Sequence, residues 1–92
     1  MGNTKTEQEV DVLEDVLVNN VLMVYNDDVN TFEHVIDSLI KICKHSNEQA
    51  SQCAMLIHTK EKCDVKHGDF DELLPMKRAL NKVGITANIE EC

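Results

Sequence analysis

The chain is poor in aromatic residues: of its 92 positions only Tyr25, Phe32 and Phe70 are aromatic, and none is tryptophan. Any core it builds must therefore be aliphatic and filled out by methionine. It has no C-x-x-C pair. Cys43, Cys53, Cys63 and Cys92 lie ten, ten and twenty-nine positions apart, a spacing without the pairs that zinc sites use, and no metal is expected. Basic residues are scarce, nine against seventeen acids, and the net charge of -8 would be repelled by the phosphates of nucleic acid and by anionic membrane surfaces. A protein partner with basic patches suits the chain better. No apolar run approaches the ~20 residues of a membrane-spanning helix. The first twenty residues carry five acids and no apolar stretch of the secretory kind. A cytoplasmic protein with reduced thiols is the expectation. An activated nucleophile, a metal-ligand set and a phosphate-binding loop are also lacking, so neither catalysis nor a cofactor is expected.

What is present is enough for one small domain. Residues 1–16 are polar and acidic and read as a flexible arm, leaving 17–92 as the folded core, with a monomer as the default. Val21-Leu22-Met23-Val24-Tyr25 is a short apolar run ended by Asn26-Asp27-Asp28, a strand meeting a turn. The period then changes. Phe32, Val35, Ile36, Leu39, Ile40 and Cys43 recur at three and four, the stripe of an amphipathic helix, with Asn30 placed to cap it and Glu33 to close the capping box. Ser46 and Gln49 repeat that signature ahead of Ala50, Cys53, Ala54 and Ile57. Helices are thus expected over 30–44 and 46–59, where Cys43 and Cys53 serve as small hydrophobes.

Beyond them Cys63, Val65 and His67 alternate with Asp64 and Lys66 as a half-exposed strand. Gly68-Asp69 turns the chain. Leu73, Met76, Leu80 and Val83 form a third helical stripe ended by Gly84, although Pro75 conflicts with a helix starting as early as Asp69. The expectation is a start near Glu72 or a distorted first turn. Ile85, Ala87 and Ile89 alternate as a last strand. The order β-α-α-β-α-β predicts an α+β sandwich, a three-stranded, mainly antiparallel sheet with three helices on one face.

Asn26, Asp27 and His58 would set an amide, a carboxylate and an imidazole beside apolar helix faces. All three accept hydrogen bonds when the histidine is neutral. That group suits a ligand with a cationic amine and an apolar side chain, and a free protein N-terminus is such a ligand. Each residue also has an ordinary use: Asn-Asp-Asp in turn and cap chemistry, His58 against a helix dipole, and Phe32, Ala54 and Ile57 in core packing.

Val24-Tyr25-Asn26-Asp27-Asp28, then Glu33-x-Val35-Ile36-Asp37, then Ala50-x-Gln52 with Ile57-His58, resemble the ClpS adaptor family, the bacterial N-degron receptors that deliver substrates to Clp-type AAA+ unfoldases. The resemblance runs from about Val21 to the C-terminus, and the fold it implies is shared with the C-terminal domain of the ribosomal stalk protein. It implies that Asn26, Asp27 and His58 receive the substrate's α-amino group. It implies an apolar pocket lined by Asn30, Phe32, Val35, Ala54, Ile57 and Ile85, and a surface pair, Glu72 and Lys77, that docks the unfoldase's N-terminal domain. The chain departs from the family at Asn30, where relatives often have Thr, and at Phe32 and Ala54, which replace pocket methionines. Two other readings compete: an enzyme using Asp27, Asp28 and His58 as acid–base groups, and a stalk-like interaction module that binds no N-degron.

Overall fold

The computed structural model describes residues 20–91, and the acidic arm expected over 1–16 lies outside them. Strand β1 (Asn20–Tyr25) leads into α1 (Phe32–Cys43) and α2 (Asn47–Lys60). Strand β2 (Lys62–Gly68), α3 (Phe70–Lys82) and β3 (Ala87–Glu91) follow. The sheet has the order β2-β1-β3, and both pairings are antiparallel. β1 therefore sits in the centre as the continuous apolar run, and the two half-polar strands take the edges, where unpaired backbone meets solvent.

Each helix begins where a short polar side chain replaces the missing intrahelical acceptor. Ser46 accepts from the Gln49 amide at 3.1 Å, as the sequence predicts. Asp69 accepts from the Glu72 amide at 2.8 Å. At α1 the cap is Thr31, whose hydroxyl accepts from His34 N at 3.0 Å. Asn30 is not the cap, because its side chain is engaged elsewhere: Nδ2 donates to the Gly84 carbonyl at 2.8 Å.

Two further expectations are corrected. Helix α3 starts at Phe70 despite Pro75 inside it. The ring removes the bond to the Asp71 carbonyl, and Asp71 is exposed, so water can serve that oxygen. The last strand starts at Ala87 rather than Ile85, which belongs to the turn that ends α3. There Gly84, at φ +90, occupies the left-handed position that only glycine adopts without strain. Its N–H bonds Asn81 O at 3.1 Å and the Ile85 N–H bonds Leu80 O at 3.0 Å, the paired bonds of a Schellman helix end.

The inward side chains of the sheet, Leu22, Val24, Cys63, Val65 and Ala87, join one buried cluster with Leu39 and Cys43 of α1, Ala50 and Cys53 of α2, and Leu73 and Leu80 of α3. All three helices thus cover the same face. A register shift between Leu22 and Met23 leaves Val65 as the extra residue of β2. Such a bulge inverts the alternation beyond it, and so His67 lies opposite Val21 and 3.5 Å from Asp64, away from Cys63 and Val65. No helix among the described residues is long and apolar enough to cross a membrane.

Candidate functional site

The β1–α1 loop, the first turn of α1, the last turns of α2 and the α3–β3 turn meet around a cavity of about 390 Å³. Its floor is aliphatic: Val35, Ala54, Ile57 and Ile85 are each at most 9% exposed. Each faces inward for a local reason. Val35 and the Ala54–Ile57 pair sit on the buried stripes of α1 and α2, and Ile85 is turned in by the Schellman end of α3. The mouth is polar, formed by Asn26, Asp27, Asn30 and His58, with Phe32 at the rim, 42% exposed. All nine residues that the family resemblance assigns to the amine site and apolar pocket border one cavity. Tyr25 and Thr31 border it too, and sequence reasoning did not select them.

Asn26 and Asp27 are positioned by bonds that leave acceptors free. The Asn26 amide N–H donates to Glu61 O at 2.8 Å, and its Nδ2 reaches Glu61 Oε1 at 3.4 Å, which leaves Oδ1 without a partner among the described residues. Asp27 closes a turn: its carbonyl accepts from Asn30 N at 3.1 Å and its Oδ1 from Val29 N at 3.0 Å, an Asx-turn that stiffens the loop. Oδ2 takes the Thr86 hydroxyl at 3.4 Å. A carboxylate accepts about four hydrogen bonds, so capacity remains for a ligand donor. His58 is exposed in the last turn of α2, and its ring makes no hydrogen bond among the described residues.

Glu72 and Lys77 both lie on α3, but five helical residues place them ~140° apart around the axis. They do not form an ion pair. The Glu72 carboxylate instead folds back over Gly68, where even a Cβ would collide with it. Elsewhere, three thiols lie in the core. Burial raises Cys43 from the usual 9.0 to about 11 in spite of nearby Lys66. Burial, with a hydrogen bond that the Cys63 thiol donates toward Cys53, raises Cys63 to about 12. No group of three or more His, Cys, Asp or Glu among the described residues is arranged to hold a metal.

An open antiparallel sheet covered on one face by three helices, with a cavity that is polar at the mouth and aliphatic at the floor, defines a small α+β binding domain. Comparison with known proteins makes that more specific. A family model described as ATP-dependent Clp protease adaptor protein ClpS matches residues 18–87, and the chain belongs to the ClpS family. No curated protein sequence matches it. Among solved structures it is similar to Agrobacterium tumefaciens ClpS2 bound to L-phenylalaninamide, with a TM-score of 0.71 and 17% identity over 83% of this chain and 99% of that one. At that identity the likeness shows the fold.

Proposed function

We infer that this chain is a non-enzymatic adaptor that recognises the free α-amino group and the bulky apolar first residue of N-degron proteins and hands them to a Clp-family AAA+ unfoldase. The observation that carries this reading is the pairing, in one cavity, of the acceptors Asn26, Asp27 and His58 with the floor of Val35, Ala54, Ile57 and Ile85. The similar ClpS2 structure holds L-phenylalaninamide, a molecule with both an amine and an apolar side chain.

An ammonium has three donors, and Asn26 Oδ1, an Asp27 carboxylate oxygen and a neutral His58 nitrogen are three acceptors. A hydrogen bond to a charged group is worth ~1.5–3 kcal/mol net, and burial of a Leu or Phe side chain another ~1.5–3 kcal/mol. Micromolar affinity needs about 8 kcal/mol, and association itself costs several kcal/mol. Neither half suffices alone, so the cavity would demand a free amine and an apolar first residue together. Glu72 and Lys77 on α3 are the proposed contacts for the unfoldase, acting as separate points rather than as a pair.

The test is fluorescence anisotropy with labelled peptides beginning with Leu, Phe, Tyr, Trp, Arg or Ala, each with and without N-acetylation. The expected result is binding of the bulky apolar set that acetylation abolishes. Failure of every free-amine peptide to bind would overturn this reading and favour a stalk-like interaction module.

A further inference from the structure

Two side chains of the α1 region grip the turn that carries the cavity's back wall. Asn30 Nδ2 donates to Gly84 O at 2.8 Å. His34 Nε2–H donates to Val83 O at 2.9 Å, so the proton sits on Nε2 in any state that keeps this bond. The next residue is Ile85, 2% exposed and part of the cavity lining. Within α3 the same turn is tied down by Gly84 N–H to Asn81 O and Ile85 N–H to Leu80 O. Those bonds fix Ile85 relative to α3 only. Val35 belongs to α1 and Ala54 and Ile57 to α2, so the width of the cavity depends on how the α3 end sits against α1. Asn30 and His34 bridge these two parts by side-chain hydrogen bonds to the Val83 and Gly84 carbonyls, and the longer Thr86 hydroxyl bond to Asp27 Oδ2 at 3.4 Å lies beyond Ile85.

We propose that Asn30 and His34 form a clasp on the Val83–Gly84 carbonyls that sets the position of Ile85, and through it which apolar first residues the cavity accepts. Asn30 borders the cavity itself. His34 is a positioning residue: it is absent from the lining and acts through the turn. The clasp uses carbonyls that the Schellman end leaves available, and both donors come from the first turn of α1 or the residues just before it. The device depends on Gly84, because only a residue at φ +90 presents this carbonyl beside Asn30 while turning Ile85 inward. The proposal rests on the adaptor reading, since it concerns selectivity within the same cavity.

The experiment measures dissociation constants of peptides beginning with Phe and with Leu for the wild type, His34→Ala, His34→Gln and Asn30→Ala, with thermal melting of each. Hydrogen exchange of the Gly84 and Ile85 amides is followed in the same proteins. His34→Ala and Asn30→Ala should each change the Phe-to-Leu affinity ratio by about threefold or more and speed exchange at Gly84 and Ile85. His34→Gln, which retains a donor, should restore both, and acetylation should still abolish binding throughout. A purely structural role would lower the melting temperature and leave the ratio unchanged, and that result overturns the clasp. If the wild type binds neither peptide, the adaptor reading itself fails, and the selectivity role with it.

Discussion

Asn26 is held to Glu61 at two points, by its backbone N–H on the Glu61 carbonyl at 2.8 Å and by its side-chain Nδ2 on Glu61 Oε1 at 3.4 Å. Glu61 itself has φ 76, in the left-handed region that costs an L-residue ~1–2 kcal/mol. The α2 C-cap thereby orients the Asn26 side-chain amide at the border of the cavity. Glu61→Gly should separate the two effects. Loss of one hydrogen bond of ~0.5–1.5 kcal/mol should weaken binding of free-amine peptides by a few-fold. Relief of the left-handed strain should leave stability to denaturant equal or higher, because it offsets the entropy that glycine adds to the unfolded chain.

The His58 ring offers an acceptor only when neutral, and a protonated ring would repel an ammonium. His58→Ala should therefore weaken binding of free-amine peptides about tenfold or more, the loss of a hydrogen bond to a charged group worth ~1.5–3 kcal/mol. Unchanged affinity of His58→Ala for free-amine peptides would remove His58 from the amine site.

Thr31 caps α1 through its bond to His34 N. Thr31→Ala should cost ~1 kcal/mol in chemical denaturation, and Thr31→Ser should recover most of it. Ser46→Ala should behave alike at α2, where the cap has the same geometry.

Leu22, Leu39 and Leu73 are fully buried at the junction of sheet and helices. Truncation of any one to Ala should cost ~2–5 kcal/mol, read as a lower denaturation midpoint. An outer-face change such as Leu56→Ala, at a side chain 43% exposed, should fall well below that.

Cys43 and Cys63 titrate at about 11 and about 12 in the folded protein against 9.0 for an ordinary thiol. Burial favours the neutral thiol, so these groups leave stability unaffected below pH 9. Above it the unfolded chain loses protons that the folded chain keeps, and stability falls as pH rises toward 11. Cys43→Ala should flatten that decline relative to the wild type. Near neutral pH these thiols should resist alkylation until the protein unfolds, which mass spectrometry after iodoacetamide treatment would read directly.

Much of this molecule is local in origin. The stripes of Phe32–Cys43 and Ala50–Ile57, the Ser46 cap and the Gly84 helix end rest on spacings of three to five residues, and helix formation depends on interactions at that range. The apolar positions alternating through Cys63–Val65 and Ala87–Ile89 place strands for the same reason. Where two adjacent residues were both competent caps, as Asn30 and Thr31 are, local chemistry could not choose. The choice fell to Gly84, which takes the Asn30 amide from 54 positions away. The bulge at Val65 is likewise a compromise of pairing register, and no single strand carries its signal.

The cavity shows the same division. The turn acceptors Asn26 and Asp27 and the helix stripes of Val35, Ala54 and Ile57 are visible in a few neighbouring residues, whereas the full lining came from the family resemblance, and those nine residues border one space. Glu61 against Asn26, Thr86 against Asp27 and His34 against Val83 were not legible. These partners stand 35, 59 and 49 positions apart, in segments whose own sequences specify only a helix end, a strand start or an exposed helix turn. The sequence by itself determined the order of elements, the aliphatic core and which residue types could meet a cationic amine. Tertiary packing alone decided which acceptor atoms stay free, because a side chain's remaining hydrogen-bonding capacity depends on every partner the fold brings to it.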